Sequence, residues 1–173
     1  MELYERALKI KLLLLDVDGV LTDGRLYYTP QGEELKVFHV RDGVGIKLAQ
    51  KAGLKVGVIS GRNNRALANR LEELGVEEVH LGFFDKLPVF ESMLRRLSVE
   101  CEEVAFMGDD LLDLPILRRV GFPLTVADAP EEVKMHALYV TSAKGGEGAV
   151  RQAVEHLLRC RKQWEDVIKD YYA

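Results

Sequence analysis

Cysteine is scarce: Cys101 and Cys160 are the only two in 173 residues. They stand alone, without the spacing of a zinc site or a disulfide framework, and suit reduced thiols in a cytosolic protein. A charge excess is also lacking, with 24 Lys and Arg against 28 Asp and Glu. That balance offers no basic surface, so nucleic acid is not expected as a partner. No apolar run approaches the roughly 20 residues that a membrane helix needs. Lys9 and Lys11 interrupt the first apolar residues too early for a signal peptide. The expectation is therefore a cytoplasmic protein with no membrane partner. Repeats, low-complexity tracts and linkers are absent as well. One domain over 1–173, built on one core, is expected.

What is present is organised around Lys11–Thr22. Four leucines, Leu12 to Leu15, read as a strand buried on both faces, as in the middle of a parallel sheet. The run ends at Asp16, Asp18 follows two residues on, and Gly19 permits a tight turn. Ligands of open α/β sheets bind beyond the carboxyl ends of the strands. Two carboxylates there repel each other, and a hard cation such as Mg²⁺ between them relieves the repulsion. An isolated Asp-x-Asp is equally a polar loop after a core strand.

Further along, strands alternate with helices. A short helix over residues 2–8 leads in. Arg25–Thr29 and Glu34–Val40 read as the two strands of a hairpin, turned at Pro30–Glu33 and inserted at about 25–40. Asp42 reads as the N-cap of a helix from Gly43 to Ala52, stopped by Gly53. Strands follow at 55–59, 79–81, 104–107, 124–126 and 138–140. Helices are expected at 65–74, 87–97, from Asp113 to about Val120, and at 131–136. A long helix from about Ala149 carries the chain past the core, in a terminal segment at 149–173. The pattern predicts an α/β fold, a Rossmann-like parallel sheet with helices on both faces.

Each strand end carries a different chemistry. The first gives Asp16 and Asp18, the second Ser60 and Gly61. The loop after the third gives Lys86, and the fourth gives Asp109, Asp110 and Asp113. One sheet edge would then hold carboxylates, a hydroxyl and a lysine, which together suit phosphoryl transfer. A carboxylate can attack phosphorus, a second can move the proton, and the hydroxyl and lysine can hold the equatorial oxygens. Singly, each has a plainer reading: a turn at Ser60–Gly61, a solvated Lys86, a helix cap at Asp109–Asp110.

In combination, Asp16-Val17-Asp18-Gly19-Val20-Leu21-Thr22, Ser60, Lys86 and Gly108-Asp109-Asp110 resemble the four motifs of the haloacid dehalogenase superfamily of phosphohydrolases. The resemblance implies that Asp16 is the nucleophile and Asp18 the general acid and base. It implies Mg²⁺ held by Asp16, the backbone carbonyl of Asp18, and Asp109, with Asp110 supporting that shell. Ser60 and Lys86 would bind the transferring phosphate. Neither position where the superfamily inserts a cap domain has room for one; only the hairpin stands there.

The hairpin, Phe38–Gly43, Ile59–Arg62 and Gly145–Arg151 resemble a capless branch of the superfamily acting on sugar-acid phosphates. That resemblance implies a homotetramer with hairpins at the interface, each subunit helping to cover a neighbour's site. Substrate contacts would fall on Asp18, His39, Val40, Arg41, Asp42, Gly43, Lys47, Gly61, Arg62, Arg70 and Lys86. Arginine forks suit a ligand carrying both carboxylate and phosphate. Lys47 and Arg70 read equally as exposed helix charges, and His39 as a packed or interface histidine. The resemblance implies as substrate an eight-carbon sugar acid phosphorylated at its end, or alternatively a nine-carbon relative. A receiver-like phosphoacceptor is the alternative from another class, and Asp18 counts against it. Gly145, Gly146 and Gly148 suit close packing or a flexible approach to the site better than a phosphate cradle.

Overall fold

The computed structural model describes residues 3–173. In chain order the elements are α1 (Leu3–Lys9), β1 (Leu12–Leu15), β2 (Tyr27–Tyr28), β3 (Glu34–Leu35), α2 (Val40–Lys51), β4 (Lys55–Ser60), α3 (Arg65–Glu73) and β5 (Glu78–Leu81). Then come α4 (Leu87–Leu97), β6 (Val104–Met107), α5 (Leu114–Leu117), β7 (Phe122–Thr125), α6 (Glu131–Lys134), β8 (Tyr139–Val140), α7 (Ala149–Cys160) and α8 (Trp164–Ile168). Residue 2 of the expected leading helix lies outside the described residues. Among the described residues no helix is long and apolar enough to cross a membrane.

Six parallel strands form one sheet in the order β5-β4-β1-β6-β7-β8, and β2 and β3 form a separate antiparallel pair. The leucine run lies where its composition demands. Each β1 residue is bonded in register to β4 on one side and β6 on the other, Leu15 opposite both Val58 and Met107. Successive strand side chains point to opposite faces. All four leucines are buried, so both faces are covered. On the helical layers α2 packs along α7, α1 joins α7, and α4 meets α5. This is the α/β fold with a parallel sheet and an added hairpin that the sequence predicts.

Several local readings need correction. The expected hairpin strand Glu34–Val40 pairs only over Glu34–Leu35. The period-two alternation continues past the pairing, but it is the face of Lys36 and Phe38 that turns inward, while the apolar Leu35 and Val37 are exposed. The next helix starts early, at Val40, and His39 caps it, Nδ1 accepting from the Arg41 amide at 3.2 Å. Asp42 is thus not the N-cap. It is buried inside the first turn and accepts from the amide of Arg151 at 2.9 Å, tying α2 to α7.

The expected helix from Asp113 to about Val120 is a 3-10 turn at Leu111–Asp113 followed by the single turn of α5. The long terminal helix is also interrupted. It ends at Cys160, Lys162 takes a left-handed conformation (φ 56°), and α8 folds back. Burial of Trp164 and Val167 drives the reversal. Arg151 and Arg159 lie over the Trp164 ring, and Lys51 of α2 donates to the Val167 carbonyl at 2.8 Å.

Candidate active site

The site is built from loops leaving the carboxyl ends of β1, β4, β5 and β6. An open depression of about 240 Å³ there is lined by Asp16, Asp18, Gly61, Arg62, Lys86 and Asp109, among others. The Asp16 amide donates to the Met107 carbonyl at 2.9 Å, so the β1 loop is still fastened to β6 where the chemistry begins. Gly19 follows in the left-handed region (φ 86°), and a Cβ there would overlap the Asp109 carboxylate. Only glycine lets these two loops approach so closely.

Lys86 is a buried cation of the site. Its Nζ lies 2.6 Å from Asp16 Oδ1 and 2.7 Å from Asp113 Oδ1. The other oxygen of Asp113 accepts from the amides of Asp109 at 2.9 Å and Asp110 at 3.3 Å. Asp113 therefore shapes the β6 loop and aligns Lys86. Asp110 is exposed and accepts from the Leu111 amide at 2.7 Å. Ser60 is fully buried, and its Oγ accepts from the Arg62 amide at 3.3 Å.

Oxygens of Asp16, Asp109 and Asp113 come within 4.8 Å of one another. One ammonium faces three carboxylates, so the cluster carries excess negative charge in a poorly solvated place. Burial, then the charge of Asp113, pushes the Asp16 carboxyl up to about 6, against the pull of Lys86. Burial, then Asp16 and Asp113, pushes Asp109 up to about 9. Burial works against the Lys86 ammonium, but the two aspartates outweigh it and hold its pKa above the ordinary lysine value. Crowded carboxylate oxygens with unbalanced charge fit a hard divalent cation. Asp16 and Asp109 are the available ligands, since both Asp113 oxygens already have partners.

Of the residues expected at a substrate, Asp18, Gly61, Arg62 and Lys86 line the depression. His39, Val40, Arg41, Asp42, Gly43, Lys47 and Arg70 are not among its lining within one chain. His39 and Asp42 serve α2 as described. Val40 is 75% exposed, and Arg41 and Lys47 are exposed. Gly43 makes room for the guanidinium of Arg70, which pairs with Glu73 at 3.2 Å. Gly145 and Gly146 close against the backbone of Gly19 and Thr22, where a Cβ at either would overlap. They are packing glycines.

Sequence reasoning missed Lys36. Its side chain is 2% exposed, with its ammonium on Asp18 and 2.9 Å from Glu34 Oε1. The signal was available: residues two apart in a strand share a face, so Glu34 and Lys36 point together, away from Leu35 and Val37. Phe84 was also missed; it lies against Gly61 at the rim.

A buried nucleophile-type carboxylate, an adjacent lysine and a cation-ready acidic pair at a parallel sheet edge define a phosphohydrolase of the haloacid dehalogenase type. The family model of haloacid dehalogenase-like hydrolases matches residues 81–153. The chain is 42% identical over 164 residues to the 3-deoxy-D-manno-octulosonate 8-phosphate phosphatase of Yersinia pestis, covering 95% of this chain and 88% of that one. Among solved structures, a probable YrbI family phosphatase from Pseudomonas syringae superposes with a TM-score of 0.96. It is 43% identical, with 98% and 97% of the two chains covered. The 3-deoxy-D-manno-octulosonate 8-phosphate phosphatase of Moraxella catarrhalis, solved with magnesium, phosphate and KDO, gives 0.94 at 34% identity, covering 97% of each chain. The chain belongs to the family of 3-deoxy-D-manno-octulosonate 8-phosphate phosphatases, within the haloacid dehalogenase superfamily.

Proposed function

We propose that this protein hydrolyses 3-deoxy-D-manno-octulosonate 8-phosphate to the free sugar acid and phosphate, in the cytoplasmic supply of that sugar for lipopolysaccharide. The observation that carries the reading is the buried Lys86, bridging Asp16 and Asp113 at the mouth of the sheet. The likeness to relatives of that name gives the substrate.

In the proposed reaction an Asp16 carboxylate oxygen attacks phosphorus and forms an aspartyl phosphate. Asp18 gives a proton to the departing sugar oxygen as the P–O bond breaks. Asp18 then takes a proton from water as that water attacks the phosphoenzyme, releasing phosphate and restoring Asp16. Lys86, Ser60 and the adjoining amides hold the equatorial oxygens. Mg²⁺ bound by Asp16, the Asp18 carbonyl and Asp109, with Asp110 behind them, would neutralise charge between nucleophile and phosphate. Arg62 at the rim suits the sugar carboxylate. The remaining sugar contacts are proposed on the 39–41 segment, Lys47 and Arg70, brought over the depression by a neighbouring subunit, with the buried Asp42 and Gly43 shaping that segment from beneath.

The assembly proposed is a homotetramer with hairpins at its interface. Its support is the hairpin's exposure: Tyr28, Leu35 and Val37 are 57%, 55% and 60% exposed. A two-stranded pair with so much bare apolar surface is marginal alone. Light scattering that returned only monomer at working concentration would remove this part.

The activity is tested by phosphate release from 3-deoxy-D-manno-octulosonate 8-phosphate, with a nine-carbon sugar-acid 9-phosphate alongside. Hydrolysis should favour the former and stop with a chelator. Undiminished turnover in Asp16→Ala would overturn the mechanism.

A further inference from the structure

The hairpin reaches the catalytic edge through two side-chain ties. From β3 and the residue after it, Glu34 and Lys36 point inward. Lys36 Nζ contacts Asp18 Oδ1 and lies 2.9 Å from Glu34 Oε1. Glu34 in turn lies 3.5 Å from Nε of Arg62, and the Asn64 amide side chain donates to the Glu34 carbonyl at 3.4 Å. From β2, the Tyr28 hydroxyl accepts from Arg62 at 2.9 Å. The hairpin is thus fastened to the β1 loop at Asp18 and to the β4 loop at Arg62, while its apolar outer surface stays bare.

The Lys36 contact is selective. It engages one oxygen of Asp18, and among the described residues no side chain bonds to the other. A carboxylate held by one oxygen has its rotamer fixed and its second oxygen free. A lysine ammonium swings on four rotatable bonds, but here its side chain is buried and its head is ion-paired with Glu34. The acidic partner therefore orders the lysine, and the lysine orders Asp18.

We propose that Lys36 is a positioning residue for Asp18, held by Glu34, so that the hairpin sets the geometry of proton transfer at the site it borders. The inference rests on the acid–base role given above to Asp18. Lys36 takes no proton itself and acts through Asp18. It aims the free Asp18 oxygen at the place where the leaving oxygen departs and where water later enters. A docked hairpin and a competent acid then form together, and a displaced hairpin leaves Asp18 free to rotate.

A positioning role makes a particular kinetic signature. In this scheme kcat/KM reports the steps through aspartyl-phosphate formation, including departure of the leaving group. A good leaving group such as p-nitrophenolate needs little protonation, whereas an alkoxide needs it fully. The experiment compares wild type with Lys36→Met on a series of aryl and alkyl phosphates of rising leaving-group pKa, with Mg²⁺ saturating. Wild type should show a shallow dependence. Lys36→Met should lose less than about 3-fold on p-nitrophenyl phosphate and about 10- to 100-fold on alkyl phosphates, a fraction of the usual general-acid contribution. In an Asp18→Asn background the same substitution should add less than about 2-fold, because the residue it positions is gone.

A uniform loss across the whole series would overturn the proposal, since a merely structural defect lowers all substrates alike. Full additivity with Asp18→Asn would overturn it too. Should Lys36→Met not fold, Lys36→Gln carries the same test, because it keeps a donor but loses the charge and the reach. Its dependence should be steeper than wild type, and a parallel displacement would count against the proposal. A wild-type enzyme inactive on every phosphate of the series would overturn the phosphatase reading itself, which separates that failure from this one.

Discussion

The ammonium of Lys86 stands 2.6 Å from Oδ1 of Asp16, and both side chains are buried. Removing one member of a buried charge pair leaves the other charge uncompensated and strongly destabilises the fold. Lys86→Met would leave Asp16 and Asp113 facing each other without their shared cation. Phosphatase activity should fall about 10²- to 10³-fold, as for loss of a preorganised donor at a transition state. Without Mg²⁺ the fold should lose about 3 kcal/mol. Added Mg²⁺ should recover part of the stability and little of the rate. Steady-state kinetics and thermal melts with and without Mg²⁺ check both halves.

Asp109→Asn should behave in the opposite way. Burial, Asp16 and Asp113 all oppose ionisation of Asp109, and no side-chain cation among the described residues bonds to it. The amide removes the repulsion while keeping the shape. Metal-free protein should melt higher than wild type, and the rise in melting temperature on adding Mg²⁺ should vanish along with activity. A variant still stabilised by Mg²⁺ would take Asp109 out of the ligand set.

The same carboxyl fixes the sign of a pH effect. Its pKa is about 9 folded against 3.8 as the ordinary value. Between those limits the folded protein binds a proton that the unfolded chain does not. Metal-free stability from this group is therefore greatest at the acid end and falls as pH rises toward 9, at up to about 1.4 kcal/mol per pH unit. Asp16 adds in the same direction up to about 6. Subtracting an Asp109→Asn titration from that of wild type isolates the effect. Saturating Mg²⁺ should flatten it, because the cation replaces the proton.

Gly145→Ala tests the packing of the late glycine loop. A Cβ at Gly145 would overlap the Gly19 carbonyl oxygen, and the Gly145 amide is held by Asp128 at 3.0 Å. Neither backbone has room to give. The substitution should cost about 2–4 kcal/mol, as other core overpacking does, and should lower kcat through the Asp18–Gly19 turn. Denaturant melts and kcat would be read on one preparation. Unchanged stability would contradict the contact.

The parallel sheet was legible because its signal is composition. Leu12–Leu15 and Val104–Met107 are runs that only a doubly covered strand accommodates, and β6 and α4 lie where the pattern places them. The site's carboxylates were legible because strand ends announce the edge on which they gather. What was not legible depended on contacts distant in sequence. Alternation over 34–40 reads as a strand whether Lys36 points to water or to Asp18. Asp42 has the composition of a cap, but its partner is Arg151, 109 residues on. Apolar spacing beyond Cys160 is helical throughout, and only Trp164 finding its place reverses the chain. Seven of the expected substrate contacts lie apart from the floor of the depression, on His39, α2 and α3.

That floor is laced together before any ligand arrives. The Asp16 amide is bonded to Met107, the Gly108 amide to Leu124 at 3.3 Å, and the Thr125 hydroxyl to the Gly108 carbonyl at 2.6 Å. The ordering entropy of the reacting groups is spent in folding, so little remains to be lost when a phosphate ester binds. Calorimetry should then find only a small unfavourable conformational entropy when inorganic phosphate binds, with the sheet edge acting as a fixed mould.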